Sequence, residues 1–288
     1  MTKGSRIISG TMNWGQWGKQ LDTAAMASLI GKCIELGINT FDHADIYGGY
    51  TTEAEFGKAF QQTKIDREAL YFISKCGIQF PTDTSPVLFN YYSYSKSYII
   101  QQVERSLTNL QTDYLDLLLL HRPSPLMEAG EINAALDQLI AQGKIKAFGV
   151  SNFSPSQIDL INENNPIIFN QIEFSLSHFE PIYDGTLDYL TQKQIGVMAW
   201  SPLGKYFSNK DNQQESIQKT LIPLKEKYNA EEDQLLLAWI MKHPANVLPV
   251  IGTTSENRMK KALKAGEIEL DEIDWFSLLV ASQGHKMP

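Results

Sequence analysis

Cysteine is scarce. Cys33 and Cys76 are the two in 288 residues, and they form no C-x-x-C pair. That count argues against disulfide staples and suits a reducing compartment, with Cys76 read as a small buried residue at a strand end. Basic charge is also in deficit: 25 Lys and Arg stand against 33 Asp and Glu, a formal net charge of -8, and the cations are scattered. This balance offers no basic face to a phosphate backbone, so nucleic acid is not an expected partner, while local anion sites remain compatible with it. Long apolar runs are missing too. "LLLL" at 117 to 120 and "LLLAWIM" at 235 to 241 are too short to cross a bilayer, and "MTKGSRIISG" lacks the apolar core of a signal peptide. A soluble, cytoplasmic protein with no membrane partner is expected. Histidine occurs five times, without an H-x-H pair. That disfavours a barrel metallohydrolase using Asp42, His43, Asp45 and His121 as ligands, and no metal is expected. No G-x-G-x-x-G string opens a strand-helix unit, which argues against a Rossmann-type site.

What is present is a repeated alternation. Eight apolar β-type runs occur along the chain: "RIIS" at 6, "INTF" at 38, "LYFIS" at 70, "YLDLLLL" at 114, "KAFGV" at 146, "IIFNQIEF" at 167, "GVMAW" at 196 and "NVLPVI" at 246. Between them lie segments with helical spacing, such as Met26, Leu29, Ile30, Cys33 and Ile34, or Ile132, Leu136, Leu139 and Ile140. Ser154-Pro155-Ser156-Gln157 predicts a helix start with a capping box and proline at the first position, and Thr52 with Glu55 predicts a second box. Strands apolar on both faces, alternating with helices in one domain over residues 1–288, predict a (β/α)8 TIM barrel; a doubly wound open sheet is the alternative. Two long connections, 76 to 97 and 203 to 220, carry no clear secondary-structure signal and read as lids or mobile segments. The first is rich in aromatics, and either covers a pocket or packs on the barrel.

In a barrel of this kind, chemistry gathers at the C-terminal ends of the strands. Polar residues recur there: Asp42, His43, Asp45 and Tyr47 after the second run, Ser74-Lys75 at the third, His121-Arg122-Pro123 at the fourth and Ser151-Asn152 at the fifth. Asn170 to Glu173 lie in the sixth, Trp200-Ser201-Pro202 end the seventh and Gly252-Thr253-Thr254 the eighth. Singly, each has a structural explanation; Lys75 can snorkel, for instance, and Asp42 can cap a turn. Jointly they carry more. A lysine and an aspartate at the inner ends of adjacent strands are costly to desolvate unless paired, and Tyr47 lies five residues beyond that aspartate.

The strings "FDHADIYGGYTTEAEFGKAF", "FISKCGI", "DYLDLLLLHRP", "GKIKAFGVSNFS", "NQIEFS", "MAWSPLG" and "PVIGTTSENRMKKAL" resemble, in this order and from residue 10 to 265, the aldo-keto reductases. "DHADIYGGY" is most similar to a bacterial subgroup. The resemblance implies an NAD(P)H-dependent oxidoreductase that reduces aldehyde or ketone carbonyls to alcohols. It also implies a catalytic tetrad of Asp42, Tyr47, Lys75 and His121, with Tyr47 as proton donor. A carbonyl that accepts hydride at carbon develops negative charge on oxygen, and a tyrosine of ordinary pKa, about 10, is a weak acid for that task at neutral pH. A lysine about 4 Å away, at an effective dielectric near 20, would lower that pKa by up to about three units, less what Asp42 withdraws. Neutral His121 would orient the carbonyl.

By the same resemblance Ser151, Asn152 and Gln171 hold the cofactor's carboxamide. Trp200 stacks on the nicotinamide where relatives often carry tyrosine, and Gly10, Thr11, Met12 and Asp42 belong to the same site. Ser201, Pro202, Leu203 and Gly204 wrap the pyrophosphate; Gly252, Thr253, Thr254, Arg258 and Lys261 take the adenosine phosphate at a helix start. NADP(H) is the implied cofactor and NAD(H) the alternative, because Gly252 and Lys261 stand where many relatives have lysine and glutamate. The implied partner is a small-molecule carbonyl substrate. Trp14, Trp17 and His43, with the aromatic loop from 80 to 94 and the tail "SQGHKMP", are its expected pocket, whose aromatic character points to a hydrophobic aldehyde or ketone. The competing expectation is a non-catalytic, cofactor-binding regulatory or redox-sensing protein on the same fold.

Overall fold

All eight apolar runs become strands of one closed parallel barrel: β1 (Ile8–Gly10), β2 (Thr40–Asp42), β3 (Tyr71–Cys76), β6 (Leu117–Leu120), β7 (Phe148–Ser151), β8 (Ile167–Glu173), β9 (Gly196–Trp200) and β10 (Leu248–Ile251). Two further short strands, β4 (Ile78–Gln79) and β5 (Tyr91–Tyr92), form a separate antiparallel ladder. Around the barrel the order is β1-β10-β9-β8-β7-β6-β3-β2, with helices between the strands, which makes it a (β/α)8 TIM barrel. The computed structural model describes residues 4–83, 85–208 and 210–287, and expectations reaching residues 1–3, 84, 209 and 288 lie outside the described residues there. Among the described residues no helix is long and apolar enough to cross a membrane.

The two-residue period of a strand explains both the core and the mouth. In β6, Leu117 and Leu119 pack inside the barrel with Ile8, Ile73, Phe169, Met198 and Val250, while Leu118 and Leu120 pack outward beneath the helices. Because alternate side chains share a face, the residue two places beyond each inner one arrives at the C-terminal mouth. These residues are Gly10 after Ile8, Lys75 after Ile73, His121 after Leu119, Gln171 after Phe169, Trp200 after Met198 and Gly252 after Val250. Phe41 packs outward, so its neighbour Asp42 turns inward.

Local chemistry sets the helix starts. Ser154 caps helix Pro155–Ile161 with the full reciprocal box, Gln157 answering the Ser154 N–H at 2.9 Å. The second expected box does not form. Helix Thr52–Thr63 has Thr51, not Thr52, at its N-cap position, and the Thr51 hydroxyl donates to the Gly48 carbonyl at 3.0 Å. The reason lies just upstream: Gly48 and Gly49 adopt φ of 63° and 66°, so the turn closes early and Thr52 is already helical. Helix Thr23–Glu35 buries Met26, Leu29, Ile30 and Cys33 as its spacing predicts, whereas Ile140 of helix Ala129–Ala141 stands out in solvent.

Both long connections hold more order than their sequences suggest. In the first, β4 and β5 pair, Tyr94 is buried, Phe80 meets Trp17 with ring centroids 5.4 Å apart, and Leu88 and Phe89 at the tip are exposed. In the second, helix Asn212–Tyr228 begins at an Asp211 cap that accepts from Gln214 N. Polar residues in its first turns and Pro223 within it hide the helical period.

Candidate active site

Four polar side chains meet under the centre of the mouth. Lys75 Nζ, 1% exposed, donates to Asp42 Oδ2 at 2.7 Å, to the His43 carbonyl at 2.8 Å and to Tyr47 Oη at 3.0 Å. An ammonium has three N–H donors, so all of them are engaged. Asp42 Oδ1 is held in turn by Gln171 Nε2 at 2.9 Å. Strand pairing sets this up, since β2 and β3 are neighbours and bring Asp42 and Lys75 side by side. Tyr47 comes from the single turn Tyr47–Tyr50, whose two left-handed glycines fold the chain back over the barrel. The His121 ring stands edge-on to Tyr47, centroids 6.1 Å apart.

The charge states follow from burial and neighbours. Burial opposes the Lys75 charge, but Asp42 and Tyr47 outweigh it and leave the lysine pKa above its ordinary value. For Tyr47, burial raises the phenol pKa, and it outweighs the lowering by Lys75; Asp42 adds to the rise. This corrects the sequence-based expectation of a net lowering, which counted Coulombic attraction and left out desolvation. The phenol is therefore protonated at neutral pH. Burial, with Lys75 and Arg122 adding to it, holds His121 well below its ordinary pKa, so the imidazole is neutral. His121 Nδ1 is buried without a hydrogen-bond partner.

A cavity of about 610 Å³ opens above these groups, lined among others by Tyr47, His121 and Trp17. A sequence model of the aldo/keto reductase family matches residues 6–278. The chain belongs to that family. An uncharacterized oxidoreductase of Bacillus subtilis, YcsN, is 39% identical to it, covering 99% of this chain and 96% of its own. A 6-dehydroglucose reductase of Agrobacterium fabrum is 37% identical over 98% of this chain and 96% of its own. Among solved structures, a thermostable aldo-keto reductase in complex with the inhibitor epalrestat superposes with a TM-score of 0.83, at 27% identity, covering 96% of this chain and 95% of that one.

In this aldo-keto reductase the remaining expected residues divide by position. Gly10, Met12, Asp42, Ser151, Asn152 and Gln171 line the cavity; so do Trp200, Ser201, Pro202, Leu203 and Gly204, and, further round, Gly252, Thr253 and Arg258. Thr11, Thr254 and Lys261 do not. Thr11 is fully buried, its hydroxyl donating to the Asp42 carbonyl at 3.0 Å. Trp200 Nε1 donates to Asn152 Oδ1 at 2.9 Å, Asn152 Nδ2 to Ser151 Oγ at 2.8 Å and Ser151 Oγ to the Gln171 carbonyl at 2.8 Å. Each side-chain amide thus uses one N–H and keeps another, and Gln171 keeps its side-chain oxygen Oε1. That donor and acceptor set fits a carboxamide. Gly204, at φ 53°, has no room for a side chain, since a Cβ would lie 2.0 Å from Ser177 Oγ; the loop can present backbone to a ligand. Ser255 makes no side-chain cap at helix Glu256–Ala265, which leaves first-turn N–H groups free beside Arg258 to fit a phosphate.

Two pocket expectations are corrected. Trp14 is fully buried against Phe41 and Phe56, with centroids 6.0 and 5.9 Å away. His43 is fully buried between Phe56 and Phe72 and bonded to Thr11 Oγ1 at 2.9 Å. The reason is alternation: His43 follows inward Asp42 and so faces the helix layer. Trp17 does line the cavity, whereas described tail residues such as Ser282, bonded to the Leu176 carbonyl, and Gln283, bonded to Tyr183, do not. Asn13, Arg122 and Asp233 line it as well. The strand-end rule already points to Arg122, beside His121; Asp233 comes from helix Glu232–Met241 and has no such signal.

Burial lowers the His43 pKa to about 3, with Lys75 and Arg67 contributing, against about 6.5 unfolded. The unfolded chain therefore binds more protons than the native one between those values, and stability falls as pH falls through that window. From pH 7 to pH 5 this group alone removes about 2 kcal/mol. A His43→Phe variant is expected to lose less Tm than wild type over that interval; an equal loss in both would show that His43 titrates normally.

Proposed function

We propose that this aldo-keto reductase is a cytoplasmic, single-domain NAD(P)H-dependent carbonyl reductase in which Tyr47 donates the proton, Lys75 and Asp42 tune its acidity and His121 orients the carbonyl. The observation that carries this reading is the exhausted donor set of Lys75. Tyr47 Oη accepts from Lys75, and no acceptor among the described residues takes the Tyr47 O–H, so that proton is free for a substrate oxygen in the cavity. The amides of Asn152 and Gln171 and the indole of Trp200 would hold a nicotinamide cofactor, which would supply the hydride. With hydride delivered to the carbonyl carbon, Tyr47 would give its proton to the carbonyl oxygen and an alcohol would result. The tyrosinate is left 3.0 Å from the Lys75 ammonium. At an effective dielectric near 20 that contact is worth roughly 5 kcal/mol, partly offset by Asp42. It opposes the burial that raises the phenol pKa, and solvent then restores the proton.

For the cofactor, NADP(H) is favoured over NAD(H) by Arg258 at an uncapped helix start. Asp233 lines the same cavity and works against a phosphate near it. The test is fluorescence titration with NADPH and NADH, reading Trp200 and Trp17. Wild type is expected to bind NADPH more tightly. Arg258→Ala is expected to weaken NADPH roughly 10- to 100-fold, the worth of one charge-assisted hydrogen bond, and NADH by less than about threefold. Equal losses would remove the 2′-phosphate contact. For the substrate, relatives named 6-dehydroglucose reductases put an oxidised sugar on the panel beside aromatic aldehydes.

A further inference from the structure

Arg122 follows His121 at the end of β6, and its backbone is held from two sides. Tyr94 Oη donates to the Arg122 carbonyl at 2.5 Å and accepts from the Arg122 N–H at 3.2 Å. Tyr94 is itself buried, and it fits because residue 77 is glycine: a Cβ on Gly77, at φ 119°, would lie 2.2 Å from the Tyr94 ring. His121 N is tied to the Cys76 carbonyl at 2.9 Å. The long aromatic segment after β3 therefore fixes where Arg122 starts.

The side chain then reaches into the cavity. Its guanidinium lies 5.3 Å from the Trp200 ring centroid, and among the described residues it makes no ion pair and no hydrogen bond. The cations around the mouth are otherwise accounted for. Lys75 is matched by Asp42, and Arg258 follows β10, which sits four places from β6 in the eight-strand ring and so across the barrel. Arg122 is thus the cation without a carboxylate partner in the sector of Tyr47 and His121, where the carbonyl is to be held. A guanidinium forks its donors toward planar oxyanions. With none supplied by the protein, the fork is open to an oxyanion carried by a ligand in the cavity.

Resting on the reductase reading, the geometry points to Arg122 as a specificity-determining residue that binds a carboxylate on the substrate, so that the substrate class is oxo acids rather than neutral apolar aldehydes. Hydride still goes to the carbonyl carbon and the Tyr47 proton to its oxygen; the carboxylate is a handle and is not consumed.

The test compares kcat/KM for matched pairs, 4-carboxybenzaldehyde with benzaldehyde and 4-oxobutanoate with butanal, in wild type, Arg122→Met and Arg122→Lys. Wild type is expected to favour at least one acid of the two pairs by roughly 10- to 100-fold. Arg122→Met should bring that ratio to about one, and Arg122→Lys should keep part of it, since a point charge lacks the fork. A wild-type ratio near one in both pairs, or a ratio untouched in Arg122→Met, overturns the proposal. Glyceraldehyde 3-phosphate against glyceraldehyde separates the sources of the anion: a larger preference there than for either carboxylate overturns the carboxylate assignment in favour of phosphate. Should no aldehyde turn over, the reductase reading fails and the anion site is judged separately, by calorimetry of benzoate and benzyl alcohol. Benzoate binding that Arg122→Met abolishes supports the site, and equal binding of the two probes overturns it.

Discussion

Replacing Tyr47 with phenylalanine is expected to lower kcat for carbonyl reduction by roughly 10²- to 10⁴-fold while leaving the Kd for NADPH within about threefold of wild type. The substitution removes one oxygen and little else. The ring keeps its contacts with Trp17 and His121, at 6.2 and 6.1 Å between centroids, and stays beneath the Lys75 ammonium, which lies 4.9 Å from its centre. Lys75 loses one acceptor but retains Asp42 and the His43 carbonyl. The fold and the cavity wall at Asn152 and Trp200, where the cofactor is proposed to bind, are untouched, so the loss falls on proton transfer. Steady-state kinetics with a fluorescence titration on the same preparation check both halves; a normal kcat would remove Tyr47 from the role of acid.

Lys75→Met separates charge from packing. The lysine is fully buried, and without it Asp42 is a desolvated carboxylate held by Gln171 alone. Breaking a buried pair from one side typically costs about 3–5 kcal/mol, whereas removing both charges is far milder. Urea unfolding is therefore expected to show a loss of about that size in Lys75→Met and recovery of most of it in the Asp42→Asn, Lys75→Met double variant. Activity should not recover with it. The double variant leaves the Tyr47 proton with no ammonium to stabilise the tyrosinate, and kcat should stay down by roughly 10²-fold or more. If the double variant regains both stability and rate, Lys75 serves the fold and not the acid.

The barrel was legible because its strands are buried on both faces: a run such as "LLLL" at 117 to 120 serves the inner layer and the helix layer at once. The same period explains which site readings needed correction. Asp42 and His43 are adjacent in one motif, yet a strand sends neighbours to opposite faces, and His43 lands among phenylalanines. The burial of Trp14 is illegible for a different reason: it sits in the loop after β1, where no periodicity tells inward from outward. Helix Asn212–Tyr228 was hidden by its polar start, and the capping residue at 51 by the left-handed glycines before it. The direction of the Tyr47 pKa was beyond a count of charges, since burial raises it more than Lys75 lowers it. Arg122 stood in the strand-end string "HRP"; what sequence lacked was its missing partner.

The most direct measurement is NADPH consumption at 340 nm by the purified wild-type protein on a panel of aromatic aldehydes, oxo acids and oxidised sugars, with the alcohol quantified in the same reaction. Catalytic turnover is expected, with one alcohol formed per NADPH consumed, on at least one member. Tight cofactor binding with no alcohol from any member would contradict it and would place this chain among proteins that hold the cofactor without using it.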